Sequence, residues 1–132
     1  MTYNCKIEKD GEWYVACYPD MMNVQTCAET YAKVIKMAEE ALNSTLTICL
    51  EKDFPIPMPT DCEGEPIEVA PKIAFAINLR YARADRTKKE AASLTGMSYQ
   101  QYQCLENPEK TNPTLEMIFR LQKAFGHQFL AI

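Results

Sequence analysis

The sequence predicts an α+β chain of two small domains. A small antiparallel sheet with one long helix comes first, and an all-α half follows. Three observations carry this. Residues 3–18 alternate apolar and polar side chains about Asp10-Gly11, residues 53–71 hold five prolines, and two Ser/Thr-x-x-Glu/Gln boxes bracket Gly96. With 47% apolar and 24% charged residues over 132 positions, the composition excludes a disordered or collagen-like chain. No apolar run approaches the ~18 residues a membrane span needs. Acidic residues (Glu8, Asp10, Glu12) stand where a secretory leader would be apolar. A soluble, cytoplasmic protein with no membrane partner is expected.

Asp-Gly between two β-prone runs signals a hairpin with a type I′ turn. A two-residue loop at Asp10-Gly11 sets Ile7 opposite Tyr14, Cys5 opposite Ala16 and Tyr3 opposite Tyr18, an apolar core face. Trp13, Val15 and Cys17 fall on the other face among Asn4, Lys6 and Glu8, to be covered by another element or offered to a partner. Pro19-Asp20 ends the second strand, and Met22–Cys27 can form a third. Thr30 to about Leu50 reads as a helix with Tyr31, Val34, Ile35, Ala38, Ala41, Leu42, Thr45 and Leu46 along one face. The prolines of 53–71 forbid a helix and favour extended chain. Ile67–Val69 is either a short strand or more linker. The boundary belongs in this stretch, giving domains 1–66 and 69–132.

Lys72 to about Ala84 reads as a helix with Ile73, Ala76, Ile77, Arg80 and Tyr81 on one stripe. Thr87-Lys-Lys-Glu90 is a capping box opening a second helix, which stops at Gly96. Ser98-Tyr-Gln-Gln101 is another box, opening a third helix that ends near Glu106. Asn112-Pro113 starts a fourth, with Leu115, Ile118, Leu121 and Phe125 as its core stripe and Gly126 at its end.

Charge divides the chain as the pattern does. Residues 1–68 carry 13 acidic and 5 basic side chains, a balance of −8, and residues 69–132 carry 9 basic and 5 acidic, a balance of +4. The basic half suits nucleic acid and the acidic half a basic partner; the plainer reading is two solvated surfaces. The six cysteines form no C-x-x-C pair and His127 is remote from them, so no metal or other cofactor is expected and reduced thiols serve as small apolar fillers. Asp10 is spent on a turn, Asp20 follows a proline and Glu8 has no acidic neighbour, so no catalytic set is read and no enzyme is expected.

Tyr3…Ile7, Asp10-Gly11, Tyr14-Val15-Ala16, Pro19-Asp20, Thr26…Thr30, Ala38-Glu-Glu-Ala41-Leu42 and Pro55-Ile-Pro57-Met-Pro59 occur in an order that resembles the HicB family of antitoxins. Asn23 and Ala28 depart from the family's glycines and Val34 from its frequent alanine. The resemblance implies a cut-down ribonuclease H fold and a HicA-type toxin partner, a small basic ribonuclease that cleaves messenger RNA. Trp13 and Val15 on the outer sheet face are the candidate toxin contacts.

Two short helices joined by a glycine turn describe the DNA-binding helix-turn-helix. Counted from Lys88, Ala92, Gly96 and Leu105 fall where the Cro/repressor-type motif has a small residue, the turn glycine and a core aliphatic. Glu106-Asn107, Pro113-Thr-Leu-Glu116 and Ala124-Phe-Gly126 continue the resemblance. Thr95 and Tyr102 replace apolar core residues, and Pro108 a glycine. The resemblance implies that the third helix enters the major groove. Ser98, Tyr99, Gln100, Gln101 and Gln103 would then lie at the DNA, with Gln101 also able to fold back on Ser98. Lys88 and Lys89 are expected at phosphates, with Arg86 an alternative to Lys89. The two resemblances together imply an antitoxin that also represses its own operon as a homodimer or homotetramer on operator DNA. The alternative is a transcription regulator whose first domain senses a ligand. The apolar tail 129–132 is expected either to pack on its own domain, the role read for Phe129, or to meet a symmetry mate.

Overall fold

In the computed structural model, which describes residues 1–129, alternation over the first 28 residues produces three consecutive antiparallel strands. They are β1 (Thr2–Asp10), β2 (Trp13–Tyr18) and β3 (Met21–Ala28). α1 (Tyr31–Glu51) and β4 (Glu65–Glu68) follow, and the sheet order is β3-β2-β1-β4. Tyr3, Cys5, Ala16, Tyr18, Val24, Ala28 and Ile67 are buried, and α1 covers them with Val34, Ala38, Leu42 and Leu46, all fully buried. A large aliphatic side chain buried this fully is worth about 1.5–3 kcal/mol. Thr30 caps α1 by accepting from the Lys33 N–H at 3.2 Å, and the Tyr18 hydroxyl donates to the Ala38 carbonyl at 2.7 Å, tying β2 to the helix. Tyr31, expected on the core stripe, is 47% exposed and meets Tyr14 edge-on at 5.8 Å.

The hairpin register differs from the expected one by two residues. Asp10 pairs with Trp13 and Ile7 with Ala16, so the loop is Gly11-Glu12 rather than Asp10-Gly11. Gly11 has φ +64°, and Glu12 is not among the residues of positive φ. These signs are those of a type II′ turn, which needs glycine at its first central position, and Asp10 is thereby free to join the ladder. A shift of two preserves the side-chain period, so the expected core and outer faces both survive.

The proline segment is extended as expected, but it is fastened to the sheet. The Tyr3 hydroxyl donates to the Pro57 carbonyl at 2.6 Å and the Asn4 amide to the Thr60 carbonyl at 3.3 Å. Asp20 accepts from both the Thr60 N–H (2.8 Å) and its hydroxyl (2.6 Å). The expected boundary at residue 66 therefore falls inside β4, where Tyr3 pairs with Ile67. The Val69 N–H bonds the Met1 carbonyl and the Ala70 N–H the Asn43 side chain. The first compact unit is Met1–Ala70, and the second begins at Pro71.

The second unit is helical: α2 (Pro71–Arg83), α3 (Lys88–Thr95), α4 (Tyr99–Leu105) and α5 (Leu115–Phe125). Leu79, Ala91, Ala92, Met97, Tyr102, Leu105 and Leu121 form its core. The expected α2 stripe needs correction, since Leu79 is fully buried and Tyr81 is 42% exposed. α5 starts later than Asn112-Pro113 suggested, because Thr114 is its cap and accepts from the Met117 N–H. Leu115, now the first helical residue, is exposed. Phe129 packs on its own unit, its ring 5.8 Å from Phe75 and its N–H on the Gln122 side chain. The rest of the expected tail contact, Leu130–Ile132, lies outside the described residues.

All six cysteines are free thiols. Only Cys5 is a buried filler, and burial pushes its thiol up to about 11; Cys27 and Cys104 are exposed. Asp20 has the opposite shift. The Thr60 hydroxyl and N–H hold its carboxyl below the usual carboxylate range. A depressed folded value stabilises above the ordinary carboxylate pKa and is lost as pH falls through the folded value. The Thr60 amide should therefore stay protected from hydrogen exchange through the ordinary range and open only in stronger acid. In Asp20→Ala it should be open at neutral pH, which amide exchange by NMR reads directly.

Candidate nucleic-acid interface

α3 and α4 are eight and seven residues long, too short to persist alone, and they depend on their caps and on the core beneath them. Thr87 caps α3 through the Glu90 N–H. The Glu90 carboxylate meets the Thr87 hydroxyl rather than its backbone, so this expected capping box is half formed. Gly96 ends the helix at φ +71°, ψ 27°, and the Met97 N–H reaches back to the Ala92 carbonyl at 2.9 Å. A left-handed residue at this point suits glycine alone among common residues without cost. Ser98 then opens α4 with both halves of its box present. Its hydroxyl accepts from the Gln101 N–H, and the Gln101 side-chain Oε1 accepts from the Ser98 N–H at 3.0 Å.

The three departures from the motif each have a physical accommodation. Thr95 is buried, but its hydroxyl donates back into its own helix, to the Ala91 and Ala92 carbonyls at 2.9 and 3.1 Å. Tyr102 packs its ring against Phe125, and its buried hydroxyl, near Arg83 and Glu106, makes no hydrogen bond among the described residues. Burial first, and the Glu106 carboxylate second, push this phenol well above the usual tyrosine range, so it remains neutral. Pro108 is tolerated because the chain leaves α4 through Glu106 at φ −84°, with no left-handed residue that would require glycine.

Glu106 anchors the end of α4 to α2. The Arg83 guanidinium grips its carboxylate through two bonds, Nε–Oε2 at 2.8 Å and Nη2–Oε1 at 3.2 Å. The side chains are only 12% and 4% exposed. A third Arg83 bond goes to the Arg86 carbonyl. Arg83, which forms this joint, lies off the expected α2 stripe that held Arg80. The signal was there in a basic residue at the last turn of α2 and an acidic one just past α4.

With Tyr102 and Leu105 turned inward, α4 presents Gln100, Gln103 and Cys104 outward, with Tyr99 on the flank. The Lys89 ammonium lies 5.9 Å above the Tyr99 ring, joining the start of α3 to this surface. Lys88 is half-buried at the first position of α3. Ser98 and Gln101, two of the candidates, are engaged in the cap. Cys104, one turn beyond Gln100, belongs to the same face and was not among the candidates. Arg86 instead stacks over Phe125 at 5.7 Å.

In the first unit, Trp13 is 48% exposed and Val15 half-buried on the sheet face opposite α1. Val15 lies between Glu8 and Cys27, and Cys17 between Lys6 and Gln25. An open groove of about 440 Å³ is lined by residues including Tyr31, Lys6, Glu63 and Glu65. Its charges are of both signs. No helix is long and apolar enough to cross a membrane among the described residues.

Residues 2–77 match the family described as HicB_like antitoxin of bacterial toxin-antitoxin system. Residues 79–127 match the family described as Helix-turn-helix. No curated protein matches the chain.

The buried ion pair makes a sharp prediction. Removing one partner leaves an uncompensated charge, which costs about 3–5 kcal/mol. Arg83→Met and Glu106→Gln should each lower the stability of the helical unit by that order in urea denaturation. The double substitution should lose markedly less than the sum of the two.

Proposed function

The chain belongs to the HicB-like antitoxins of bacterial toxin–antitoxin systems and carries a helix-turn-helix DNA-binding domain, and from that premise we propose two linked activities. The acidic unit neutralises a HicA-type, mRNA-cleaving toxin, and the helical unit represses the operon that encodes the pair. One observation carries this reading: the charge split follows the boundary of the compact units. Neither residue 69 nor residue 70 is charged, so Met1–Ala70 has the balance of −8 and the part from Pro71 onward that of +4. An acidic surface is complementary to a toxin that must itself hold RNA phosphates. The families matched are antitoxin and DNA-binding families rather than enzyme families, and this chain inhibits by covering its partner rather than by catalysis.

Trp13 and Val15 on the outer sheet face are the proposed toxin contacts, an exposed aromatic anchor beside an aliphatic surface. Residues 1–70, which keep β4 and the Thr60 clamp, should rescue growth when co-expressed with the toxin. Trp13→Ala should weaken that rescue while the unit stays folded by circular dichroism. Death of cells containing soluble, folded 1–70 would show that inhibition needs the helical half.

On DNA, α4 lies in the major groove, with Gln100 and Gln103 at base edges and Lys88 and Lys89 on phosphates. Ser98 and Gln101 shape the helix start, and Tyr99 positions Lys89. Operators of this type are read by pairs of such units one helical turn apart, so the bound species is a dimer or a tetramer. Gln100→Ala should reduce discrimination between operator and random DNA by about 1–3 kcal/mol. Lys88→Ala should weaken binding to both alike and flatten the salt dependence. Fluorescence anisotropy at two salt concentrations distinguishes these effects, and unchanged binding by both variants would remove α4 as the reader.

A further inference from the structure

The sheet has two outer strands, and they differ in how they are protected from other chains. β4 is four residues long and contains Pro66 flanked by Glu65, with Glu68 at its end. Short length, proline and charge are the usual means by which an edge strand is kept from pairing. β3 has none of them. Its eight residues, Met-Met-Asn-Val-Gln-Thr-Cys-Ala, include no charge, no proline and no glycine, and Met22 is 81% exposed.

The register shows which backbone groups that edge offers. The Gly11-Glu12 loop makes Asp10 and Trp13 a hydrogen-bonded pair, so Trp13, Val15 and Cys17 address β1. Tyr14 and Ala16 therefore address β3, through Ala28 and Thr26. The N–H and C=O groups of Gln25 and Cys27 are left pointing away from the sheet. Among the described residues, no group outside β2 hydrogen-bonds to this strand.

We propose that this edge is a self-association site, where β3 of a second copy adds antiparallel about a two-fold axis at Thr26. Gln25 of each copy then faces Cys27 of the other, each pair exchanging two backbone hydrogen bonds, and the two sheets become one of eight strands. The two Thr26 side chains meet in a non-hydrogen-bonded position, where threonine pairs are favourable. Charge selects the occupant. Two units of −8 repel each other over most of their surface, and Val24–Ala28 of β3 is an uncharged stretch at which identical copies can meet. A basic toxin, by contrast, gains nothing electrostatic from an uncharged strand. About a two-fold axis Thr26 meets its own copy and each neighbouring contact occurs twice, so a charge near the axis would be duplicated there, which an uncharged edge avoids. The pairing would join two DNA-binding units through the antitoxin half and raise their effective concentration at an operator.

The test uses the full chain without toxin or DNA, so its outcome is independent of the function proposed above. In amide hydrogen exchange, Gln25 and Cys27 should become protected as protein concentration rises. Exchange of both at the rate of free amides at all concentrations would overturn the proposal. Gln25→Pro removes the outward N–H, while the bonds to β2 come from Thr26 and Ala28, so the fold should persist by circular dichroism. Its self-association in analytical ultracentrifugation should weaken by about tenfold or more, the equivalent of losing one or two backbone bonds. Cys27→Lys, which places like charges across the joint, should act in the same direction. Unchanged assembly in folded Gln25→Pro would overturn the proposal.

Discussion

The grip of Arg83 on Glu106 is the interaction on which the arrangement of the helical unit depends. α3 and α4 are too short to hold their own shape, and the core beneath them, Leu79, Ala91, Ala92, Met97, Tyr102, Leu105 and Leu121, is held by non-directional apolar contacts. Such a core fills space without fixing direction. A bidentate guanidinium–carboxylate pair does fix direction, because both planar groups must align for both bonds to form. It joins the last turn of α2 to the residue that ends α4, with Tyr102 seated beside it. The orientation of the exposed glutamine face follows from that joint.

The acidic unit solves a different problem. A four-stranded sheet with one helix has little core, and its proline segment would be a loose strand of chain if only composition governed it. Instead the segment is used as a strap. Its carbonyls at Pro57 and Thr60 satisfy side chains of β1, and Thr60 is clamped by Asp20 from the β2–β3 turn. Proline lowers the entropy lost when such a segment is fixed, so a few hydrogen bonds suffice to hold it. The same segment then delivers β4 to the open side of β1.

Uneven protection of the two sheet edges follows from this construction of the fold. β4 closes one edge with proline and glutamate, and β3 leaves the other uncharged within a strongly acidic body. Repulsion between like-charged units and an available backbone ladder act in opposition, and the balance sets how the antitoxin half meets other copies of itself. The exposed outer face around Trp13 remains a separate surface, suited to a different partner.

Local rules were enough to read much of this protein from its residues. The alternation of β1 and β2, the α1 stripe through Val34, Ala38, Leu42 and Leu46, the Ser98 box and the turn at Gly96 are all set by neighbours within four positions, and each was legible. The family resemblance was carried by the same short-range signals. What only the tertiary structure decided involves residues distant in sequence. The loop moved to Gly11-Glu12, which no local pattern distinguished from Asp10-Gly11. Thr60 found Asp20 forty positions away, and that contact, with β4, carried the boundary from residue 66 to Ala70. Arg83 found Glu106, and the Lys89–Tyr99 contact joined two helices into one surface. Periodicity reports which side of an element faces inward; it carries no information about which charged or polar groups meet across the turns between elements, and those meetings are what position the candidate site.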